Sequence, residues 1–153
     1  MWSHQQAIMT DAPKEQLWKL LADMEHWNRW DEDVQWCKLN GEFKTGIAYF
    51  LKRTGAPKLF GVIRNHEPLK RFTAVSYFMS LATIESTYQL IDVEDGVKLS
   101  HQVSISGHLA WLFVQLVGKR MCKGFPTAAG NLVRLAKQQP IKTWAIGETA
   151  LRD

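Results

Sequence analysis

The chain has 153 residues with 46% hydrophobic and 22% charged side chains, enough for one domain with its own core, and the mix excludes disordered, collagenous and disulfide-scaffolded proteins. Its formal charge is only +4, but the charge is unevenly placed. No acid occurs from Gly96 to Gly147, where Lys98, Lys119, Arg120, Lys123, Arg134, Lys137 and Lys142 fall, whereas the first 43 residues hold eight acids against four bases. The longest apolar run, Leu109 to Val117 with Gln115 inside it, is about half of the roughly 20 residues a membrane helix needs. The start MWSHQQAIMTDAPKEQ lacks the apolar stretch of a signal peptide, and Cys37 and Cys122 read as reduced thiols, so a cytoplasmic protein is expected.

Residues 3–9 form a short first strand with weak alternation. Asp11, Ala12 and Pro13 then announce a helix, with proline where its missing donor costs nothing and Glu15 near the positive end. Leu17, Leu20 and Leu21 give it an apolar side, and Trp27 and Trp30, three apart, pin one further helical turn. From Val34 the pattern changes to VQWCKL, IAYFLKR, KLFGVIRNH, RFTAVSYFM, ATIESTYQLI and VKLSHQVSIS, separated by turn residues, which predicts an antiparallel meander. A two-residue Asp95-Gly96 turn sets Glu94 opposite Val97, Leu90 opposite His101, Tyr88 opposite Val103 and Ser86 opposite Ile105. That register turns Ile84, Ser86, Tyr88, Leu90, Val97, Leu99, His101, Val103 and Ile105 to one side.

Residues 109–137 close the chain as one long helix. Ala110, Val114, Val117, Met121, Phe125, Ala128, Leu132 and Leu135 make an apolar stripe, opposite Lys119, Lys123, Arg134 and Lys137. Leu112, Phe113 and Leu116 make the first half apolar nearly all round, so it must be covered on two sides or meet a ligand, partner or membrane. Pro126, helped by Gly124, predicts a kink or break near Cys122 to Pro126.

Ala12-Pro13 with Glu15 and Trp18, HWNRWD at 26–31, EPLKRF at 67–72, and the SISGHLAWLF join into a helix carrying GKRMCKGFP together resemble the SRPBCC superfamily, also called START-like or Bet v 1-like. The closest look is of the bacterial polyketide cyclase/dehydrase and lipid-transport type. The resemblance implies an α+β helix-grip domain over residues 1–138, a curved sheet of about seven strands wrapped around the closing helix, with 139–153 as a tail. It further implies an internal cavity for a lipid, polyketide or aromatic metabolite, lined by Tyr88, His101, Val103, Met121 and Phe125, with Trp30, Phe50 and Phe72 as further candidates. Each apolar one reads equally well as plain core.

The residues themselves carry no catalytic signature. His4, His26, His66, His101 and His108 lack metal-ligand spacing, the glycines only punctuate turns, and no cofactor or metal is expected. His101 and Tyr88 are the candidates for proton transfer, and Arg64 for holding an anionic group. Binding of a small hydrophobic or amphipathic ligand is the leading reading. A cyclase/dehydrase-like enzyme and a membrane-surface or partner-binding module, using the basic face of the last helix on anionic lipid, are the alternatives. Nucleic acid ranks lower because that face has no interleaved aromatics.

Overall fold

The structure of the protein, a computed structural model, describes residues 1–138, so the expected tail 139–153 lies outside the described residues. Period-two alternation sends one set of side chains from each strand toward a common helix. The seven strands are β1 (Trp2–Thr10), β2 (Val34–Leu39), β3 (Ala48–Arg53), β4 (Leu59–Glu67), β5 (Arg71–Phe78), β6 (Ala82–Val93) and β7 (Gly96–Ser106). They lie in the order β1-β7-β6-β5-β4-β3-β2, all neighbours antiparallel. The chain crosses from one sheet edge to the other through helix α1 (Lys14–Ala22) and a 3-10 helix, Met24–Arg29. An α+β helix-grip follows, as the resemblance implies.

Every residue assigned to the inner side of the β6–β7 hairpin is buried, but the register differs. Tyr88 faces His101, Leu90 faces Leu99 and Val93 faces Gly96, a slide of two residues that leaves each side chain on its predicted face. The turn is therefore Glu94-Asp95, with Asp95 at φ 69, a conformation aspartate tolerates. Gly96 serves the neighbouring strand instead, because a Cβ there would stand 2.3 Å from the Thr10 carbonyl oxygen of β1.

The closing helix runs through α2 (Ala110–Phe113), a π-helical turn (Val114–Gly118) and α3 (Lys119–Gln138). The expected break near Pro126 is absent, since α3 continues through that exposed proline. The irregularity sits earlier, at the π turn, where the helix meets β1 and β7. A Cβ on Gly118 would stand 2.7 Å from the Trp2 ring and 3.0 Å from Ile105 Cδ1, so glycine permits that approach. Val114 and Val117, within the turn, are buried in line with Met121, Phe125, Ala128 and Leu132. Leu112 and Leu116 pack partly against this core, while Trp111, 67% exposed, takes the outer side.

Two apolar clusters fill the space between sheet and helix. The larger joins α1, Trp27, Trp30, Phe72, Tyr88, Leu99, Phe125 and Leu132; the smaller joins Val103, Ile105, Phe113, Val117 and Met121. The lopsided charge of the sequence closes on itself across this core. Asp11 takes Lys137 at 2.7 Å and Asp33 takes Arg120 at 2.7 Å, so acids from the first quarter of the chain neutralise part of the basic helix. No helix among the described residues is long and apolar enough to cross a membrane.

Candidate functional site

At the seam between the two clusters lies a cavity of about 30 Å³, lined by Trp30, Tyr88, Leu99, His101, Met121 and Phe125 among others, with Asp31, Asp33, Arg53 and Arg120 at its polar end. A water needs roughly 10–15 Å³ of such space, so the cavity as it stands has room for two or three. Outside it is an open cleft of about 510 Å³ that shares Asp31, Asp33, Arg120, Gly124 and Ala128 with the cavity. The Arg120–Asp33 pair therefore stands at the boundary between the two spaces.

Each wall follows from local rules. On β3 the inward positions are Tyr49, Leu51 and Arg53, so alternation carries a guanidinium into the interior with only 5% of its side chain exposed. Two carboxylates meet it from the segment after the 3-10 helix. Asp31 Oδ2 accepts from Arg53 Nη1 at 3.3 Å, and Asp33 Oδ2 lies 3.6 Å from the same nitrogen, an ion pair beyond hydrogen-bond reach. Asp31 also accepts from the Asp33 backbone N–H at 3.0 Å, which fixes the turn. Arg120 donates from Nε and Nη2 to Asp33 Oδ1 at 3.2 and 2.7 Å. Two arginines and two aspartates leave this end of the cavity neutral.

The two tryptophans of the W-x-x-W turn differ. Trp27 Nε1 donates to the Leu21 carbonyl at 2.9 Å, whereas the buried Trp30 Nε1 has no partner among the described residues. Asp33 Oδ2 likewise accepts no hydrogen bond there.

His101 lies between two rings, stacked on Tyr88 at 4.5 Å and on Phe125 at 5.7 Å. Its Nε2 shares a 2.7 Å hydrogen bond with Ser86 Oγ. His101 and Tyr88 therefore meet through their ring faces, and the hydrogen bond of the imidazole goes to Ser86. Burial, reinforced by the charges of Arg53 and then His4, lowers the imidazole to about 3. Burial, followed by the negative charge of Asp31, holds the Tyr88 phenol well above its ordinary range.

Of the residues predicted from sequence, Tyr88, His101, Met121, Phe125 and Trp30 meet at the cavity. Val103 is buried but belongs to the smaller cluster, and Phe72 packs behind Tyr88 at 5.6 Å without lining the cavity. Phe50 is corrected: it is 42% exposed on the outer face, where it meets Phe60 edge-on at 5.6 Å, because the inward set of β3 is one residue out of phase with it. Arg64 is exposed on β4 and is not among the residues lining the cavity. Sequence reasoning missed Arg53, Asp31, Asp33 and Arg120. The alternation of Tyr49, Leu51 and Arg53 contained the signal for the first of them.

A seven-stranded antiparallel sheet gripping one long helix over a part-polar cavity is the START-like architecture, and solved structures of that kind align over most of the chain. A START superfamily protein from Mycobacterium smegmatis is 10% identical, with a TM-score of 0.70 over 86% of this chain and 97% of its own. A hypothetical protein from Helicobacter pylori is 13% identical, with a TM-score of 0.73 over 88% of each chain. The di-domain ARO/CYC protein BexL from the BE-7585A biosynthetic pathway is 14% identical, with a TM-score of 0.68 over 91% of this chain and 51% of its own. At such identities the likeness establishes the fold alone. No curated protein sequence matches the chain. The family model for polyketide cyclase / dehydrase and lipid transport matches residues 1–138, and the chain belongs to that family.

Proposed function

We propose that the protein binds a small hydrophobic or amphipathic molecule between the sheet and α3. The observation that carries this reading is the cavity at the seam of two core clusters, apolar along Leu99, Met121, Phe125 and Leu132 and polar at one end, separated from an open cleft by a partly exposed ion pair. The family description and the START-like and ARO/CYC neighbours support it. Entry requires the cavity to widen. Gly124 and Ala128 place little side-chain bulk on the boundary, so withdrawal of Arg120 from Asp33 joins cavity and cleft.

Binding is favoured over proton-transfer catalysis. Burial holds both the His101 imidazole and the Tyr88 phenol in their neutral forms, and both rings are taken up in one aromatic stack with Phe125, which suits a lining role better than proton shuttling. The test is saturable fluorescence enhancement of diphenylhexatriene, a neutral apolar probe, by the wild-type protein and by Ala128→Phe, which fills the cavity. One probe per chain and a loss of about ten-fold in affinity in the folded variant are expected, a change of roughly 1.4 kcal/mol. Unchanged probe binding by Ala128→Phe would place the ligand elsewhere.

A further inference from the structure

The polar end of the cavity defines the chemistry of the ligand's head group, on the reading that the cavity is a ligand site. Among the described residues, two buried atoms of the cavity wall have no hydrogen-bond partner: the donor Trp30 Nε1 and the acceptor Asp33 Oδ2. Trp30 is 3% exposed, and its ring is fixed by edge-on contacts with Trp27 at 5.8 Å and Tyr88 at 6.3 Å. Asp33 is held by Arg120 through its other oxygen and by its own backbone carbonyl, which accepts from the Thr54 N–H at 2.9 Å. Neither group can turn away to find another partner without breaking these contacts.

We propose that the ligand carries a hydroxyl on an otherwise apolar body, and that Trp30 Nε1 and Asp33 Oδ2 recognise it. A hydroxyl both accepts and donates, so of the simple head groups it alone has the capacity that a lone donor and a lone acceptor together call for. A carboxylate accepts from Trp30 but has no proton for Asp33. It would also be a third anion beside Arg53, whose charge Asp31 and Asp33 already share. An ammonium donates to Asp33 but offers Trp30 no acceptor. Leaving either buried atom unpaired costs affinity, which is how the site would discriminate between chains of equal length. Water has the same donor and acceptor capacity, so the preference among head groups, and not binding alone, reports the recognition.

The experiment is displacement of diphenylhexatriene by decanol, decanoate and decylamine, which share one alkyl chain, at neutral pH. Wild-type protein is expected to bind decanol at least about five-fold more tightly than either charged chain, the effect of one hydrogen bond. Trp30→Phe, which keeps an aromatic ring and removes the donor, should weaken decanol about five-fold relative to diphenylhexatriene measured on the same variant. Asp33→Asn, which removes one negative charge and supplies a donor, should narrow the gap between decanol and decanoate; it serves independently if Trp30→Phe does not fold. Decanoate or decylamine matching decanol on wild type, or a folded Trp30→Phe with undiminished decanol affinity, overturns the hydroxyl assignment while leaving the cavity reading intact. Failure of diphenylhexatriene and decanol alike to bind wild type overturns the cavity reading, and this assignment with it.

Discussion

His101 couples the stability of this fold to pH. Its imidazole is buried between Tyr88 and Phe125, and burial lowers it from 6.5 to about 3. In the unfolded chain it returns to roughly 6.5. Between those values the unfolded state binds a proton that the folded state refuses, so unfolding is favoured as pH falls below about 6.5, with a limiting slope of about 1.4 kcal/mol per unit. Integrated from pH 7 to pH 5, this single group removes about 2 kcal/mol, a sizeable part of an ordinary domain's total of roughly 5–15 kcal/mol. His101→Gln keeps a polar group on the side of Ser86, its hydrogen-bond partner, and does not titrate. Urea unfolding of both proteins at pH 7 and pH 5 isolates the contribution of His101, because the other ionisable groups are common to both. The wild-type stability minus the variant stability should fall by about 2 kcal/mol on acidification. If that difference is the same at both pH values, the imidazole is not held neutral in the fold and the burial argument fails.

Three further outcomes follow from named contacts. Gly118→Ala drives a methyl to 2.7 Å from the Trp2 ring and should cost about 1–3 kcal/mol in urea unfolding; a neutral result would show that β1 yields to the helix. Arg120→Ala removes a half-exposed partner of Asp33, so its effect on melting should be no more than about 1 kcal/mol, while stopped-flow uptake of diphenylhexatriene should accelerate; equal uptake rates would remove the ion pair from the entry path. Cys37 is buried and its thiol is pushed up to about 12, chiefly by burial and then by the charge of Glu25, whereas Cys122 is less buried. Ellman's reagent at mildly alkaline pH should therefore label Cys122 first and Cys37 only on unfolding, and mass spectrometry of the modified peptides checks the order.

The sequence by itself determined the elements and their faces. Tyr88, His101, Val103 and Leu99 could be turned inward from alternation alone, because a strand's period of two survives whatever the strand packs on. The stripe from Val114 to Leu132 was legible for the same reason, its helical period being a local property. Phe50 shows where that reading goes wrong: on a short strand of mixed residues, a one-residue error in phase exchanges Phe50 for Arg53.

Only the tertiary structure decided the rest. The β6–β7 register depends on β1 passing close to Gly96, and the π turn on Trp2 lying under Gly118, contacts made across about a hundred residues of chain. The polar end of the cavity draws Asp31 and Asp33 from a turn, Arg53 from a strand end and Arg120 from a helix. No spacing in the sequence announces such a group. Its members attract through space, and an ion pair becomes part of a site only when folding removes it from water.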